Sequence, residues 1–456
     1  MSTPSVRRAR GTVTVVCVAL FFGVVTSSGV AVVLPDIATE FDLSAANASW
    51  VISGFLLAYG MAIPFYGRLA GRFGSKRLFL FGVAVFAVGS LVCAFAPTVG
   101  VLLGARAVQA AGGAAVPGLG MTLATMAVPE SARGRALGTI AATLGVGAAS
   151  GPLLGGVLAE IADWRLLFVA TALSVVVVPI GTRVIVGDEA SDSTRLDAVG
   201  GLGLAAAVAA LLYGVTNGGQ HGWSDAITVT SLGAFAVLLT ATAVHHHRTE
   251  DPFVPRELIS NATFRILAGL AFLMSGAYLG ANLGLPVMFA DLHEASSLRI
   301  GVALLPTALA TAAAGLLAGG AVDRFGASRP MRIGLVSMLV GLLTIALVAP
   351  TSMTVVALVA VPLGVGYSLA YTPVSVAVSG AVSTALRANA LSLLSMALFV
   401  GGSVGAATFT SVAGDGGVDG QAYRGAFLAL SIPLGLAIAL ALRFHRTSTG
   451  QAHVVR

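Results

Sequence analysis

The sequence predicts an all-α polytopic membrane protein with fourteen transmembrane helices. Fourteen apolar stretches are each about long enough to cross a hydrocarbon core of about 30 Å, which takes about 20 helical residues. Only 10% of the 456 residues are charged and 57% are hydrophobic, whereas a soluble domain carries about 25% charged residues. Because no water satisfies backbone groups inside lipid, each stretch should be a helix.

The polar breaks between these stretches predict how the helices are grouped. The longest breaks lie at about 188–197 and 245–263 and bracket spans seven and eight. We therefore expect an N-terminal six-helix bundle over 1–187, a linker with two extra central helices over 188–260, a C-terminal six-helix bundle over 261–446 and a tail over 447–456. The spans are expected at about 12–34, 49–66, 78–97, 101–127, 136–159, 166–186, 198–215, 226–244, 264–289, 300–321, 331–349, 353–379, 390–413 and 426–442.

Basic residues predict the orientation of the chain. If the N-terminus is cytoplasmic, 21 of the 25 Lys and Arg residues fall on the cytoplasmic side. Arg165, Arg299 and Arg424 fall outside, and Arg106 lies within a span. Acidic residues show no such bias, and Lys/Arg bias rather than net charge sets orientation. Both termini are thus expected on the cytoplasmic side. The protein itself is expected in the inner or plasma membrane of a cell. The basic residues are spread over the loops, so a nucleic-acid partner is not expected.

Two segments 252 residues apart resemble each other. Gly67-Arg-Leu-Ala-Gly-Arg-Phe-Gly74 and Gly319-Gly-Ala-Val-Asp-Arg-Phe-Gly326 share Gly, Arg, Phe and Gly at matching places, and each follows the second span of its bundle. Related halves around a midplane site are a known transporter plan. The sequence offers no phosphate loop, metal cluster or catalytic triad, so neither a cofactor nor an enzyme activity is expected.

Four segments then carry a family resemblance. They are Gly67-Arg-Leu-Ala-Gly-Arg-Phe-Gly-Ser-Lys-Arg77, Arg106-Ala-Val-Gln109-Ala-Ala-Gly-Gly113, Gly145-Val-Gly147-Ala-Ala-Ser-Gly151-Pro152-Leu-Leu-Gly155-Gly156, and Leu34-Pro-Asp-Ile-Ala38 with Ser49-Trp-Val51. On these segments the chain resembles the major facilitator superfamily, in particular its 14-span drug/proton antiporters, and is similar to the tetracycline exporters of Gram-positive bacteria. The resemblance implies the major facilitator fold, two six-helix bundles plus two extra central helices.

The resemblance also implies a set of gating residues. In the loop after span two and in its repeat these are Gly67, Arg72, Gly74, Arg77, Asp323 and Arg324, although Gly71 stands where the family carries an Asp. In span five, Gly147, Gly151 and Gly155 share one helical face that another helix can approach closely, and Pro152 favours a kink. The alternative for the loop residues is an ordinary cytoplasmic loop with an excess of basic residues. The alternative for the span-five residues is a glycine face that packs without moving.

By the same analogy, the first and fourth helices of each half line a substrate cavity. Aromatic walls with a few polar groups suit an amphipathic organic ligand. The alternative for each polar residue is a hydrogen bond that joins helices, and for Arg106 specifically a bond to backbone carbonyls that holds two helices together. The candidate substrate-binding residues are Thr26, Ser27, Arg106, Gln109, Tyr278, Asn282, Tyr367 and Tyr371.

Acidic residues are missing where proton-driven exporters commonly keep them. Thr26, Ala148 and Gly401 occupy the positions at which related antiporters carry an acid, and none of the 19 Asp/Glu falls well inside a predicted span. We assign proton coupling to Arg106 and to Asp36 at the outer rim; His221 or the substrate itself are other possible carriers.

The predicted function is secondary-active export of a small amphipathic, antibiotic-like compound by proton antiport with alternating access. The alternative is an uncoupled or differently coupled facilitator of a metabolite, because the intramembrane acids are missing. A membrane sensor or scaffold is a third class. The expected partners are a small-molecule substrate, protons and membrane lipid, and the chain is expected to be a monomer.

Overall fold

A computed structural model describes residues 6–185, 197–295, 297–349, 351–414 and 420–454. This part of the chain contains fourteen helices that are long and apolar enough to cross a membrane and no strand. The all-α fold class and the number of spans are thereby confirmed. An even number of crossings returns the chain to its starting side; we call that side the terminal face and the opposite side the distal face.

The N-terminal half contains spans one to six, of which spans four and six are each built from two helices. In chain order, the helices are Val6–Glu40, Ala45–Phe73, Ser75–Ala94, Val99–Gly113 with Ala115–Ala127, Arg133–Ile161, and Arg165–Ala172 with Val177–Val184.

The C-terminal half contains spans nine to fourteen and follows a two-helix hairpin, spans seven and eight. The hairpin helices are Ala198–His221 and Ala226–Arg248, and a short helix, Arg256–Ser260, leads into the second half. Its helices are Ala262–His293, Ser297–Phe325, Ser328–Val348, Met353–Val359 with Val361–Ala381, Arg387–Ala413 and Gly420–Val454. The predicted linker residues 188–196 lie outside the described residues, as do 455 and 456 of the predicted tail, whereas 447–454 continue the last helix.

Equivalent helices pack in the same way in the two halves. The first and fifth spans of the N-terminal half touch through glycines, since a Cβ at Gly155 would lie 2.8 Å from Gly29 O. Their counterparts, spans nine and thirteen, do the same, since a Cβ at Gly280 would lie 2.7 Å from Gly405 O. Small residues let helices approach to backbone contact where lipid gives no hydrophobic driving force. This shared pairing supports the repeat read from the sequence.

The repeated segments form equivalent tight turns. Gly74 ends span two at φ 83°, and Gly326 follows span ten at φ 73°. A positive φ is readily adopted by glycine but strains other residues. The backbone conformation of the turn therefore explains why both segments end in glycine.

The hairpin is attached to both halves through span seven. A Cβ at Gly60 of span two would lie 2.6 Å from Leu212, and one at Gly219 of span seven would lie 3.1 Å from the Ala407 Cα of span thirteen. Only 6% of the apolar window of span eight is buried. Span seven thus fills the lateral seam between spans two and thirteen, and span eight lies outside it, exposed to lipid.

A hydrogen-bonded carboxylate ties the base of the hairpin at the terminal face. Asp197 accepts hydrogen bonds from Gly200 N at 2.8 Å and Phe253 N at 3.0 Å, and its Oδ1 lies 2.8 Å from His245 Nε2. Although burial pushes the pKa of Asp197 upward, these hydrogen bonds bring it below its ordinary value. The carboxylate therefore caps span seven and fixes the end of span eight and the following loop.

Candidate transport cavity and gates

Three tyrosines of the C-terminal half come together near mid-depth. The rings of Tyr278 and Tyr367 stack with centroids 3.9 Å apart and an interplanar angle of 8°. The Tyr371 ring lies 5.8 Å from that of Tyr367, and Asn282 lies beside the Tyr278 hydroxyl. The structure thus brings together the four residues that the sequence predicted on spans nine and twelve.

The N-terminal half meets this cluster with groups that the sequence analysis missed. The Tyr371 hydroxyl donates to Met121 Sδ at 3.5 Å, and Tyr59 lies close to Tyr371. Tyr59 also packs against Phe399 of span thirteen, with ring centroids 5.1 Å apart. Aromatic side chains from both halves therefore enclose one region at the centre of the molecule.

Three threonines, on spans one, ten and twelve, carry buried hydroxyl groups. The Oγ1 atoms of Thr26, Thr307 and Thr372 are buried and have no hydrogen-bond partner among the described residues. Ser27, the neighbour of Thr26 on span one, is exposed. Unpaired buried hydroxyls cost free energy and are available to a bound polar ligand.

Arg106 lies inside the N-terminal half. Its side chain is 1% exposed, and its guanidinium donates to Val51 O at 3.1 Å and to Gln109 Oε1 at 2.7 Å. The Phe55 ring lies 4.0 Å from the guanidinium carbon, an arrangement worth roughly 2 kcal/mol when desolvated. Gln109 continues the network by donating to Ser90 Oγ at 2.6 Å. Arg106 thereby joins spans two, three and four.

Acidic groups lie at the ends of the spans. Asp36 is exposed, one turn before the distal end of span one, and makes no ion pair with another described residue. Nearby, Glu40 is paired with Arg165, with Nη2 and Oε1 2.5 Å apart. Within the described spans no carboxylate reaches mid-depth, so the charge of Arg106 has no acidic partner there.

Spans five and ten form the first contact between the halves, at the terminal face. A Cβ at Gly319 would lie 2.5 Å from Gly134 O, and one at Gly315 would lie 2.7 Å from Ala142 N. Asp323 completes the contact, because its Oδ1 accepts from Gly134 N at 3.0 Å and its Oδ2 lies 3.4 Å from Arg135 Nε. The halves are thus joined here by backbone contact and by the Asp323 carboxylate, since a negative charge is favourable at the N-terminus of a helix such as span five.

Spans two and thirteen form the second contact. Gly67 of span two and Gly118 of span four both press on Ser392 of span thirteen. A Cβ at Gly67 would lie 2.7 Å from Ser392 Cβ, and one at Gly118 would lie 2.7 Å from Ser392 Cα. No carboxylate of the described residues joins this contact, since Gly71 occupies the position equivalent to Asp323. The two contacts are related by the internal repeat, but among the described residues an acidic side chain joins only the first of them.

The remaining predicted gating residues lie elsewhere. The glycine face of span five packs on span one within the same half, since a Cβ at Gly147 would lie 3.0 Å from Val24 and one at Gly151 would lie 3.0 Å from Val25 O. Pro152 follows on the same span. On the terminal face, the side chains of Arg72, Arg77 and Arg324 are exposed.

The glycines that do join the halves carry a signal in the sequence. Gly134 and Gly138 are four residues apart, as are Gly315 and Gly319, and small residues at this spacing are typical of close helix contacts in membranes. Spacing identifies such a face but not the helix that it meets. The sequence analysis therefore could not tell that these four residues, rather than the glycines of the span-five motif, join the two halves.

Comparison with known proteins agrees with this architecture. The sequence profile described as Major Facilitator Superfamily matches residues 16–406, with a second match over 266–454. The multidrug resistance protein Stp of Mycobacterium tuberculosis (strain ATCC 25618 / H37Rv) is 30% identical over 386 residues, which are 84% of this chain and 71% of that protein. The methylenomycin A resistance protein of Bacillus subtilis (strain 168) is 28% identical over 327 residues, 70% of this chain and 69% of that protein.

A solved structure shares the fold. The human organic anion transporter MFSD10 superposes with a TM-score of 0.71 at 15% identity, covering 95% of this chain and 99% of its own. With fourteen spans, equivalent glycine contacts in two halves and a profile match over most of its length, this chain belongs to the Major Facilitator Superfamily of membrane transporters and is not an enzyme.

Proposed function

We propose that the protein exports a small amphipathic organic compound by alternating access. The observation that carries the proposal is the contact between the halves from the terminal face to mid-depth, just beyond which the aromatic cluster lies. A central site closed toward one side is what alternating access requires of a transporter built from two halves. The multidrug and methylenomycin resistance proteins among its relatives support an antibiotic-like substrate.

The terminal face is proposed to be cytoplasmic, with both chain ends inside the cell. The bias of Lys and Arg toward the loops of that face supports this orientation. In that orientation, the contact between spans five and ten lies on the cytoplasmic side of the proposed substrate site. The chain is proposed to work as a monomer, since its central site lies between its own two halves.

The proposed substrate site combines aromatic surface with neutral polar groups. Tyr278, Tyr367 and Tyr371 provide the wall, with Asn282 and Thr26 as hydrogen-bonding groups and Ser27 on the exposed side of span one. Arg106 and Gln109 belong to this set in a supporting role, because their polar atoms are engaged with each other and with spans two and three. A neutral, zwitterionic or anionic compound suits this surface better than a dication, since no carboxylate of the described residues reaches the site.

Proton antiport is the proposed coupling, with Asp36 at the outer rim as the proton carrier and Arg106 as a permanent positive charge that tunes proton binding. Facilitated transport is the second candidate. It is favoured by a specific observation, that the described spans hold no carboxylate at mid-depth, where a desolvated acid would have a raised affinity for protons.

Transport into proteoliposomes with an imposed pH gradient tests the function and separates the candidates. Antiport predicts accumulation of an antibiotic-like compound that collapses when the gradient is dissipated. Facilitated transport predicts equilibration at a rate independent of the gradient. Absence of flux across a broad panel of compounds, with correctly inserted protein, would reject the export proposal.

A further inference from the structure

A pocket lies in the lateral seam near the distal face, apart from the central aromatic cluster. Its volume is about 380 Å³, and it is lined by span two, by span seven of the hairpin and by Ser403 of span thirteen. Ligand pockets for drug-sized molecules are typically about 300–1,000 Å³. All three parts of the molecule, the two halves and the hairpin, therefore contribute to one cavity of ligand size.

The pocket has a polar and an apolar end. Span two runs inward from the distal face and presents Ser53 before Leu57, while span seven runs outward and presents Leu212 before Thr216 and Gln220. The two helices run in opposite directions, yet each places its polar residues toward the distal face and its leucine toward mid-depth. The pocket thus follows the polarity of an amphipathic molecule inserted from the membrane surface, with its polar group outermost.

The wall of the pocket is ordered, and several of its polar groups are free. Trp50 and Tyr213 stack with ring centroids 5.8 Å apart and an interplanar angle of 26°. Asn217 is held by hydrogen bonds of 2.7 Å to Asp225 and 2.8 Å to Thr228. By contrast, Thr216 and Ser53 make no hydrogen bond with another described residue. These hydroxyls are therefore available to a ligand beside a fixed aromatic surface.

Charge narrows the class of ligand. No Lys, Arg, Asp or Glu is among the lining residues, and His221 is the one titratable group there besides Tyr213. A phosphate-bearing headgroup would find no guanidinium or ammonium to pair with. We propose that this seam pocket is a second binding site, which takes an uncharged amphipathic organic molecule of drug size from the distal side of the membrane.

Photolabelling of the full chain in phosphatidylcholine nanodiscs tests the proposal without requiring transport. The probe is an uncharged benzamide that carries an alkyl diazirine, and the labelled positions are found by peptide mass spectrometry. We expect saturable labelling within 49–57 and 212–221 that excess unlabelled benzamide competes away. Ser53→Phe, which fills the pocket, should lower saturable labelling about tenfold or more, and Thr216→Val, which removes one hydrogen bond, should weaken it about three- to tenfold.

Val237→Phe is the matched control, because Val237 lies on span eight with 69% of its surface exposed. It should leave seam labelling unchanged. Labelling of the seam that rises linearly with the probe and equals that around Val237 would overturn the proposal, as would labelling that Ser53→Phe and Thr216→Val leave intact or that only phospholipid competes away. Because the readout is binding, failure of the proposed export would leave this result standing.

Discussion

Burying the charge of Arg106 costs free energy, and the contacts that offset this cost also hold the N-terminal half together. A guanidinium cannot lose its proton in a protein, and inside a membrane its charge needs acceptors and aromatic faces. Val51, Gln109 and Phe55 supply them. All of these partners belong to the N-terminal half, so the residue holds that half together as a rigid body.

We therefore expect Arg106→Ala to lower the free energy of unfolding by about 1–3 kcal/mol, since a buried carbonyl and a buried amide lose their partner. Thermal unfolding in detergent measures the effect. Arg106→Lys should recover part of the stability, because an ammonium still reaches one acceptor but lacks the planar fork. Unchanged stability of Arg106→Ala would contradict this role.

Tyr367 should behave differently, because its ring faces Tyr278 and Tyr371 rather than a closed network. Tyr367→Leu should weaken substrate binding about tenfold, as expected for the loss of about 1.4 kcal/mol of aromatic and polar contact. Equilibrium binding of a transported compound measures it. Tyr213→Leu, which removes a tyrosine from the lateral seam, is the control and should leave binding at the central site unchanged; equal losses in both variants would refute the site.

Spans five and ten are the elements on which the closure of the terminal face depends. Gly138→Leu should force them apart, because a Cβ there would meet the Gly315 carbonyl and lie 3.0 Å from Gly319 N. In a chain whose native cysteines are replaced, a cysteine at buried Ser392 reports the opening. We expect a thiol reagent to label it about tenfold faster in Gly138→Leu, a shift of about 1.4 kcal/mol in the closing equilibrium.

Gly320→Leu is the matched control on span ten, since a Cβ at Gly320 meets nothing within 4 Å. Its labelling rate should equal that of the parent chain. A rate in Gly138→Leu that is no faster than in Gly320→Leu would show that this glycine contact does not close the terminal face.

The hairpin carries its own pH dependence through Asp197. The folded-state pKa of this carboxyl is lowered, so its contribution to stability is present above the unfolded pKa of about 3.9 and is lost as the pH falls through the lower folded pKa. Native protein should therefore lose thermal stability below about pH 4. Asp197→Asn should show a smaller loss over the same range, whereas exposed Asp251→Asn should behave like the parent; equal acid sensitivity of all three would contradict the assignment.

At the scale of the whole molecule, much of the fold was readable from the sequence. Span length and the Lys/Arg bias predicted fourteen crossings, and the repeat at Gly67 and Gly319 predicted related halves, because both signals depend on lipid and on local helix geometry. Helical periodicity also placed Tyr367 and Tyr371 on one face.

The sequence did not show which neighbouring helix each helical face meets. Periodicity shows that Gly147, Gly151 and Gly155 share a face, but which neighbour that face meets depends on packing between distant segments. The groups that surround Arg106 likewise come from spans two and three as well as from its own span. The seam pocket was equally hidden, since it exists only where spans two, seven and thirteen meet.

The central claim is that two halves rock about a central site and open only one face at a time. Pulsed electron spin resonance in nanodiscs tests it directly, with spin labels in a chain lacking Cys17 and Cys93. One pair, at Ser131 and Arg324, spans the terminal ends of spans five and ten, and the other, at Ile161 and Arg299, spans their distal ends. When a transported compound shifts the conformational equilibrium, we expect the terminal pair to lengthen as the distal pair shortens. If both distances change in the same direction, or neither changes while export proceeds, the account is contradicted.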